Sequence, residues 1–313
     1  MRVITAAEVA EALDWEALIE RLAHAFCGGV ESPARHHHAM QRPDGEATML
    51  LMPAWEPDGY IGVKMVNVFP QNADYGLPAI AGVYLLSEGA HGRPLACIDG
   101  GELTRRRTAA ASALAARKLS REDAETLLVV GTGRLAPMVI EAHAAVRPIR
   151  RVRIWGRSPA KAERLAAEYA DRFDTEAVTD LEDACADADV ISCVTLATRP
   201  LIRGRWLSPG AHLDLIGAFR PDMRETDADC LARSEVFVDT YAGAKGEAGD
   251  ILQAVDEGGF ALGDIRGELA ELLQGSRKGR SGPEAITLFK SVGASLEDLA
   301  AAVEVWEKRK ATP

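Results

Sequence analysis

The stretch VVGTGRLAPMVIEAH, which begins at Val129, constrains the fold more than any other part of the chain. An apolar run, TLLVV, leads into Gly131, Gly133 and Ala136, spaced G-x-G-x-x-A, and a helical pattern follows at once. In a strand that turns sharply into a helix, the first glycine makes the turn and the second lets a phosphate approach the backbone. The small third residue lets helix and strand pack closely. Amides at the helix start, around Arg134 and Leu135, then face an anion. The rhythm continues downstream, where RVRIW, TEAV, DVISCVT, HLDLIG and EVFVD alternate with helical segments. This alternation predicts an α/β fold with a doubly wound parallel sheet, a Rossmann domain that binds a dinucleotide.

The end of the second strand selects among dinucleotides. In RVRIWGRSPA, beginning at Arg151, an NAD-binding chain would often place a carboxylate against the adenosine ribose, and none is present. Gly156 and Arg157 are followed by Ser158, with Lys161 one helical turn further on. A guanidinium, a hydroxyl and an ammonium suit an added phosphate, so NADP(H) is the preferred cofactor and NAD(H) the alternative. A solvated charge run at a helix start is the plainer reading of the same residues.

The chain's 313 residues exceed one ordinary domain of roughly 100–200 residues, so a second domain is expected. Ala6–Phe26 carries apolar residues at helical spacing, while Thr48–Met52, Tyr60–Val68 and Ala81–Leu86 read as strands. Thr104–Leu119 is rich in helix formers and opens on a possible Thr104 cap. Gln274–Pro283 reads as an exposed loop. Ser295–Lys310 reads as a helix with a capping pair, Ser295 and Asp298, that returns to the first domain. The expected division is residues 1–115 with 290–313, an N-terminal α+β domain completed by the C-terminal helix, and residues 116–289, the Rossmann domain.

A formal net charge of −11 argues against nucleic acid or an anionic membrane as partner. No apolar run approaches the ~18 residues of a membrane span. The start MRVITAAEVAEALDWEAL has no leader pattern, so a cytoplasmic location is expected. Cys27, Cys97, Cys185, Cys193 and Cys230 are scattered and read as reduced thiols, with Cys97 and Cys193 as small core residues. His36, His37 and His38 are adjacent, and neighbours on a strand point to opposite faces, so no metal site is expected.

Lys64 stands in the β-like run IGVKMVNVF, on the same face as Gly62, Val66 and Val68. A lysine on an apolar face needs an anion or a path by which its tip reaches water. Arg107 and Arg35 are further candidates for an anion site.

The segments PARHHHAM, VKMVNVFPQN, RPLACIDGGELTRRRTAAASALAA, CVTLATRPLIRGRWLSPGAHL, LIGAFRPDMRETD, GEAGDI and ITLFKSVGASLEDLAAA together resemble the ornithine cyclodeaminase / mu-crystallin family along nearly the whole chain. The resemblance implies a homodimer, with a dimerisation and substrate domain beside a Rossmann domain and the active site between them. It maps the family's substrate-carboxylate cations onto Arg35, Lys64 and Arg107, with Lys64 and Arg107 the catalytic candidates. It maps cofactor contacts onto Thr108, the Gly131–Ala136 turn, Thr195, Leu196, Ala197 and Ser291. Two positions depart from the cyclodeaminases: Phe219 replaces an aspartate that handles the amino group, and Ala79 replaces a threonine. The segment IGAFRPDMRE resembles instead the ketimine-reducing branch. The implied activity is NADPH-dependent reduction of Δ1-pyrroline-2-carboxylate, or of the six-membered Δ1-piperideine-2-carboxylate, to L-proline or L-pipecolate. The alternatives are an ornithine cyclodeaminase or alanine dehydrogenase, and an NADPH-dependent binding protein of the mu-crystallin type.

Overall fold

The structure, a computed structural model, describes residues 1–310. It divides into two compact units, residues 1–108 with 294–313 and residues 109–293. Residues 311–313, the end of the expected 290–313 segment, lie outside the described residues.

The first unit holds β1 (Arg2–Ile4), α1 (Ala6–Ala12), α2 (Trp15–Cys27), β2 (His36–Arg42), β3 (Gly45–Trp55), β4 (Tyr60–Val68), β5 (Ile80–Glu88), β6 (Pro94–Asp99), the start of α3 (Gly100–Leu119) and the C-terminal helix Ser295–Lys310. Its strands form one sheet in the order β1-β6-β5-β4-β3-β2, antiparallel except for the β1/β6 pair. The C-terminal helix packs on β3, β4, β5 and α2. Alternation along the strands sends Met52, Ala54, Gly62, Lys64, Tyr84 and Leu86 to the covered face, where all are buried.

Three local expectations are corrected. The Ala6–Phe26 helix is two helices, because the Asp14 side chain accepts from the Ala17 N–H and starts a new one. Helix α3 begins at Gly100 rather than Thr104, its first turn held by Asp99 Oδ1, which accepts from the Glu102 N–H at 2.7 Å. Asp298 does not cap the C-terminal helix. That helix start is closed by Glu297, which accepts from the Ala294 N–H at 3.0 Å, while Asp298 faces Lys64.

The second unit holds β7 (Thr126–Val130), α4 (Ala136–Val146), β8 (Arg151–Trp155), α5 (Pro159–Tyr169), β9 (Asp174–Ala177), α6 (Leu181–Asp187), β10 (Val190–Cys193), β11 (Thr198–Ile202), β12 (His212–Leu215), β13 (Arg224–Thr226), α7 (Ala228–Ala232), β14 (Glu235–Val238), α8 (Tyr241–Gly246), α9 (Gly249–Asp256), β15 (Gly267–Glu268), α10 (Leu269–Gln274) and β16 (Thr287–Lys290), which makes the C-terminal helix α11. Eight strands pair in parallel in the order β15-β14-β16-β12-β10-β7-β8-β9. The order reverses at β7, which has β8 on one side and β10 on the other, and this is the switch point where such sheets bind ligands. Burial on both faces explains the mostly apolar runs of β7 and β10. Loop 274–283 is pinned by Arg280, which donates to the carbonyls of Leu119, Gly210 and Ala211.

Candidate active site

In the first unit, the covered sheet face and α11 bring opposite charges together out of water. Lys64 Nζ lies 2.8 Å from Asp298 Oδ1 and 2.7 Å from Oδ2. Arg107 Nε donates to Asp298 Oδ1 at 3.0 Å, and its Nη1 donates to Glu297 Oε2 at 2.6 Å. All four side chains are buried. Gly62 makes room for the buried ring of Tyr84, since a Cβ there would overlap the Tyr84 hydroxyl. Burial pulls the Lys64 ammonium down to about 8, with the Asp298 charge opposing and Arg107 assisting. Burial pushes the Asp298 carboxyl up, yet the cations of Arg107 and Lys64 overcome it and hold the group below the ordinary range. Arg107 is lowered by burial and raised further by Asp298 and Glu297, so it stays charged.

Arg35 is half-buried, and its charge acts on both Lys64 and Asp298. The structure therefore gathers all three predicted cations in one unit. It also supplies two carboxylates that the sequence reading did not assign to them.

In the second unit, Gly131 adopts φ +129°, its N–H donates to the Trp155 carbonyl at 2.8 Å, and a Cβ would sit 2.9 Å from the Val194 carbonyl oxygen. A Cβ on Gly133 would meet nothing within 4 Å, so open space lies over that backbone. No side chain caps the start of α4, the Ala136 N–H donates to the Gly133 carbonyl at 3.1 Å and Pro137 has no N–H, so an outside acceptor has to be met by the turn's own amides, at the exposed Gly133 and Arg134. The turn thus fits a pyrophosphate in geometry and in hydrogen-bonding need. Arg134 is exposed, Leu135 is half-buried and Ala136 is buried beneath the turn.

At the end of β8, Gly156 is held close to Thr132, where a Cβ would lie 2.6 Å from Thr132 Cγ2. Ser158 occupies the N-cap position of α5 without making the side-chain cap bond, and Arg157 and Lys161 are exposed. Past β10, Thr195 and Ala197 are half-buried and Leu196 is 74% exposed. Ser291 is buried after β16, and its N–H donates to the Leu215 carbonyl at 3.1 Å. Thr108 is half-buried at the end of the first unit's share of α3.

His36, His37 and His38 lie exposed on edge strand β2, and no His, Cys, Asp or Glu group suited to a metal ion exists among the described residues. Cys193 is buried, and burial pushes its thiol well above the ordinary range. Cys97 is half-buried rather than a core residue, because it lies on the sheet face away from α11.

Fold and glycine turn define the class, that of the NAD(P)H-dependent oxidoreductases with a Rossmann unit and a separate α+β unit. Residues 2–312 match the ornithine cyclodeaminase/mu-crystallin family, and the chain belongs to it. It is 37% identical over 316 residues to a Delta(1)-pyrroline-2-carboxylate reductase of Colwellia psychrerythraea, covering 98% of this chain and 99% of the relative. The solved Delta(1)-pyrroline-2-carboxylate reductase of Thermococcus litoralis, in complex with NADH and L-proline, superimposes with a TM-score of 0.94 at 30% identity, covering 99% of this chain and 98% of that one. An archaeal alanine dehydrogenase dimer with bound NAD follows the same fold with a TM-score of 0.92 at 28% identity, covering 99% and 96% of the two chains.

Proposed function

We propose that this protein reduces Δ1-pyrroline-2-carboxylate to L-proline, with the six-membered Δ1-piperideine-2-carboxylate as a further substrate, using NADPH in preference to NADH. The observation that carries this reading is the buried cluster of Lys64, Arg107, Asp298 and Glu297, with Arg35 beside it. Lys64 and Arg107, held in fixed orientation by buried carboxylates, suit the carboxylate of a small cyclic imino acid. The names of the Colwellia and Thermococcus relatives support the same substrate.

When bound, the reduced nicotinamide supplies the hydride. Arg107 and Arg35 hold the substrate carboxylate, and Asp298 fixes both Lys64 and Arg107 so that their donors are already oriented. Lys64, brought to about 8, carries a proton at working pH that can pass from Nζ to the imine nitrogen. Phe219 cannot move a proton, which suits imine reduction and disfavours ornithine cyclodeamination. The preference for NADPH is supported by Arg157, Ser158 and Lys161, which stand where an NAD enzyme often carries a carboxylate.

A homodimer is the proposed assembly. The sheet face opposite α11 presents Val3 at 68%, Ile61 at 41% and Leu85 at 40% exposure, an apolar surface of the kind a second copy covers. The test of function is oxidation of NADPH and NADH with a panel of cyclic imino acids, with ornithine and alanine assayed in the oxidative direction. Rapid NADPH loss with the five-membered imine supports the reading, and activity confined to ornithine or alanine refutes it.

A further inference from the structure

Glu225 lies in β13, fully buried, with both carboxylate oxygens engaged. Oε1 accepts from the backbone N–H and from the hydroxyl of Thr195, each at 2.7 Å, and Oε2 accepts from the Gly217 N–H at 2.7 Å. Thr195 follows β10 and Gly217 follows β12, two neighbouring parallel strands. One side chain thereby ties the loops at the carboxyl ends of both, along the sheet edge where open α/β folds receive ligands. The fit is close, since a Cβ on Gly217 would overlap the Thr195 carbonyl and the Glu225 carboxylate.

Glu225 is itself held in place. Its N–H donates to Asp250 Oδ1 at 2.7 Å, an atom that also accepts from the Thr226 N–H at 3.0 Å. Asp250 Oδ2 lies 3.3 Å from Lys290 Nζ at the end of β16. The charged and titratable groups that face Glu225 are thus Lys290 from β16, Asp250 from α9 and the Cys193 thiol from β10, with Asp239 beyond β14 also acting on Lys290.

We propose that Glu225 is a positioning residue: its ionised carboxylate holds the Thr195 and Gly217 loops together, and neutralising it releases one of them. This rests on the proposed reading only in assigning that edge to cofactor and substrate. The chemical reason is simple. Two backbone N–H groups approach the carboxylate from its two oxygens, and a backbone N–H cannot turn to accept. A carboxylic acid or carboxamide offers an acceptor to one N–H and a donor to the other, so one loop loses its bond.

Burial pushes the Glu225 carboxyl up to about 7, with Lys290 opposing and Asp250 adding to the shift. Both forms are therefore populated near neutral pH, and the loops tighten as pH rises through about 7. Global stability moves the other way. A folded-state value above the ordinary carboxylate range means the native protein binds more protons than the unfolded chain, so this group's contribution weakens over the same rise. Opposed trends separate local positioning from general stabilisation.

The test compares the wild type with Glu225→Gln by amide hydrogen exchange without ligand and by NADPH binding read from nicotinamide fluorescence. In the variant, exchange at Thr195 or Gly217 should quicken about tenfold while β7 amides are unchanged, as for one lost hydrogen bond. The dissociation constant for NADPH and the KM for imine should rise more than kcat falls, and the pH dependence near 7 should vanish. If the variant does not fold, exchange at Thr195 and at Gly217, each relative to Gly131, in the wild type from pH 6 to 8 gives the same answer, one of the two slowing beyond the intrinsic pH effect. Unchanged exchange at both positions in the variant, or wild-type ratios flat at both, overturns the proposal. Loops that respond as described in a protein that reduces no imine would refute the function and leave the positioning role standing.

Discussion

Lys64 Nζ lies 2.7 Å from Asp298 Oδ2, and the two side chains are 3% and 0% exposed. A strand residue and a helix residue far apart in sequence thus form a buried ion pair, to which Arg107 adds a second cation. Removing one member of such a pair leaves a charge stranded out of water. Asp298→Ala should lower the unfolding free energy by ~3–5 kcal/mol, measured by urea titration. A loss within about 0.5 kcal/mol, the range of ordinary surface substitutions, would contradict the cluster's structural weight.

Arg107→Ala removes a guanidinium fork while leaving Glu297 and Asp298 in place. Steady-state kinetics with the pyrroline imine should show a fall in kcat/KM of ~30-fold or more, the scale of a lost buried charge contact of ~2–5 kcal/mol. Most of it should appear in KM. Arg107→Lys should recover only part, because an ammonium cannot reproduce a bidentate fork.

The Lys64 ammonium, brought to about 8 by burial, gives a pH signature. The proposed mechanism needs its protonated form, so kcat/KM should fall as pH rises through about 8. For stability the sign reverses: the folded protein binds fewer protons than the unfolded chain between about 8 and the ordinary lysine value of 10.5, so this group's contribution improves across that window. A rate profile flat from pH 7 to 10 would remove Lys64 as proton source.

Arg157→Ala should weaken NADPH by ~10-fold or more and leave NADH nearly unchanged, the scale of one charge-assisted bond to phosphate of ~1.5–3 kcal/mol. Direct fluorescence titration of both cofactors checks this. Equal effects on the two would take Arg157 away from the extra phosphate.

The Rossmann unit was legible because its signals are local. A glycine turn, β-patterned runs and helix spacing lie within a few residues of one another, and β7, β8 and β10 follow them. Strand Tyr60–Val68 was read with its bounds intact, and its alternation put Lys64 on the covered face. What escaped was long-range pairing. Asp298 resembles a helix cap in sequence because its neighbours Ser295 and Glu297 suit a helix start, and only packing of α11 on β4 turns it toward Lys64. Glu225 and Asp250 likewise look like surface acids until the fold buries them beside Lys290. The sequence did carry one hint, a lysine on an apolar strand face, which demanded an acid from elsewhere.

The open sheet face leads to a prediction about assembly. Leu85→Asp places a charge at the centre of the proposed contact, and sedimentation should shift from dimer to monomer at micromolar protein. A wild type that sediments as a monomer would refute the homodimer directly.

The most direct measurement follows the transferred hydrogen. Incubating the protein with Δ1-pyrroline-2-carboxylate and NADPH deuterated at the nicotinamide C4 position, then analysing the product by mass spectrometry, should yield L-proline carrying deuterium at Cα, and at substrate well below KM the Arg107→Ala variant should form this labelled proline ~30-fold more slowly or worse. Unlabelled product, no proline at all, or label transfer undiminished by the substitution would contradict the account.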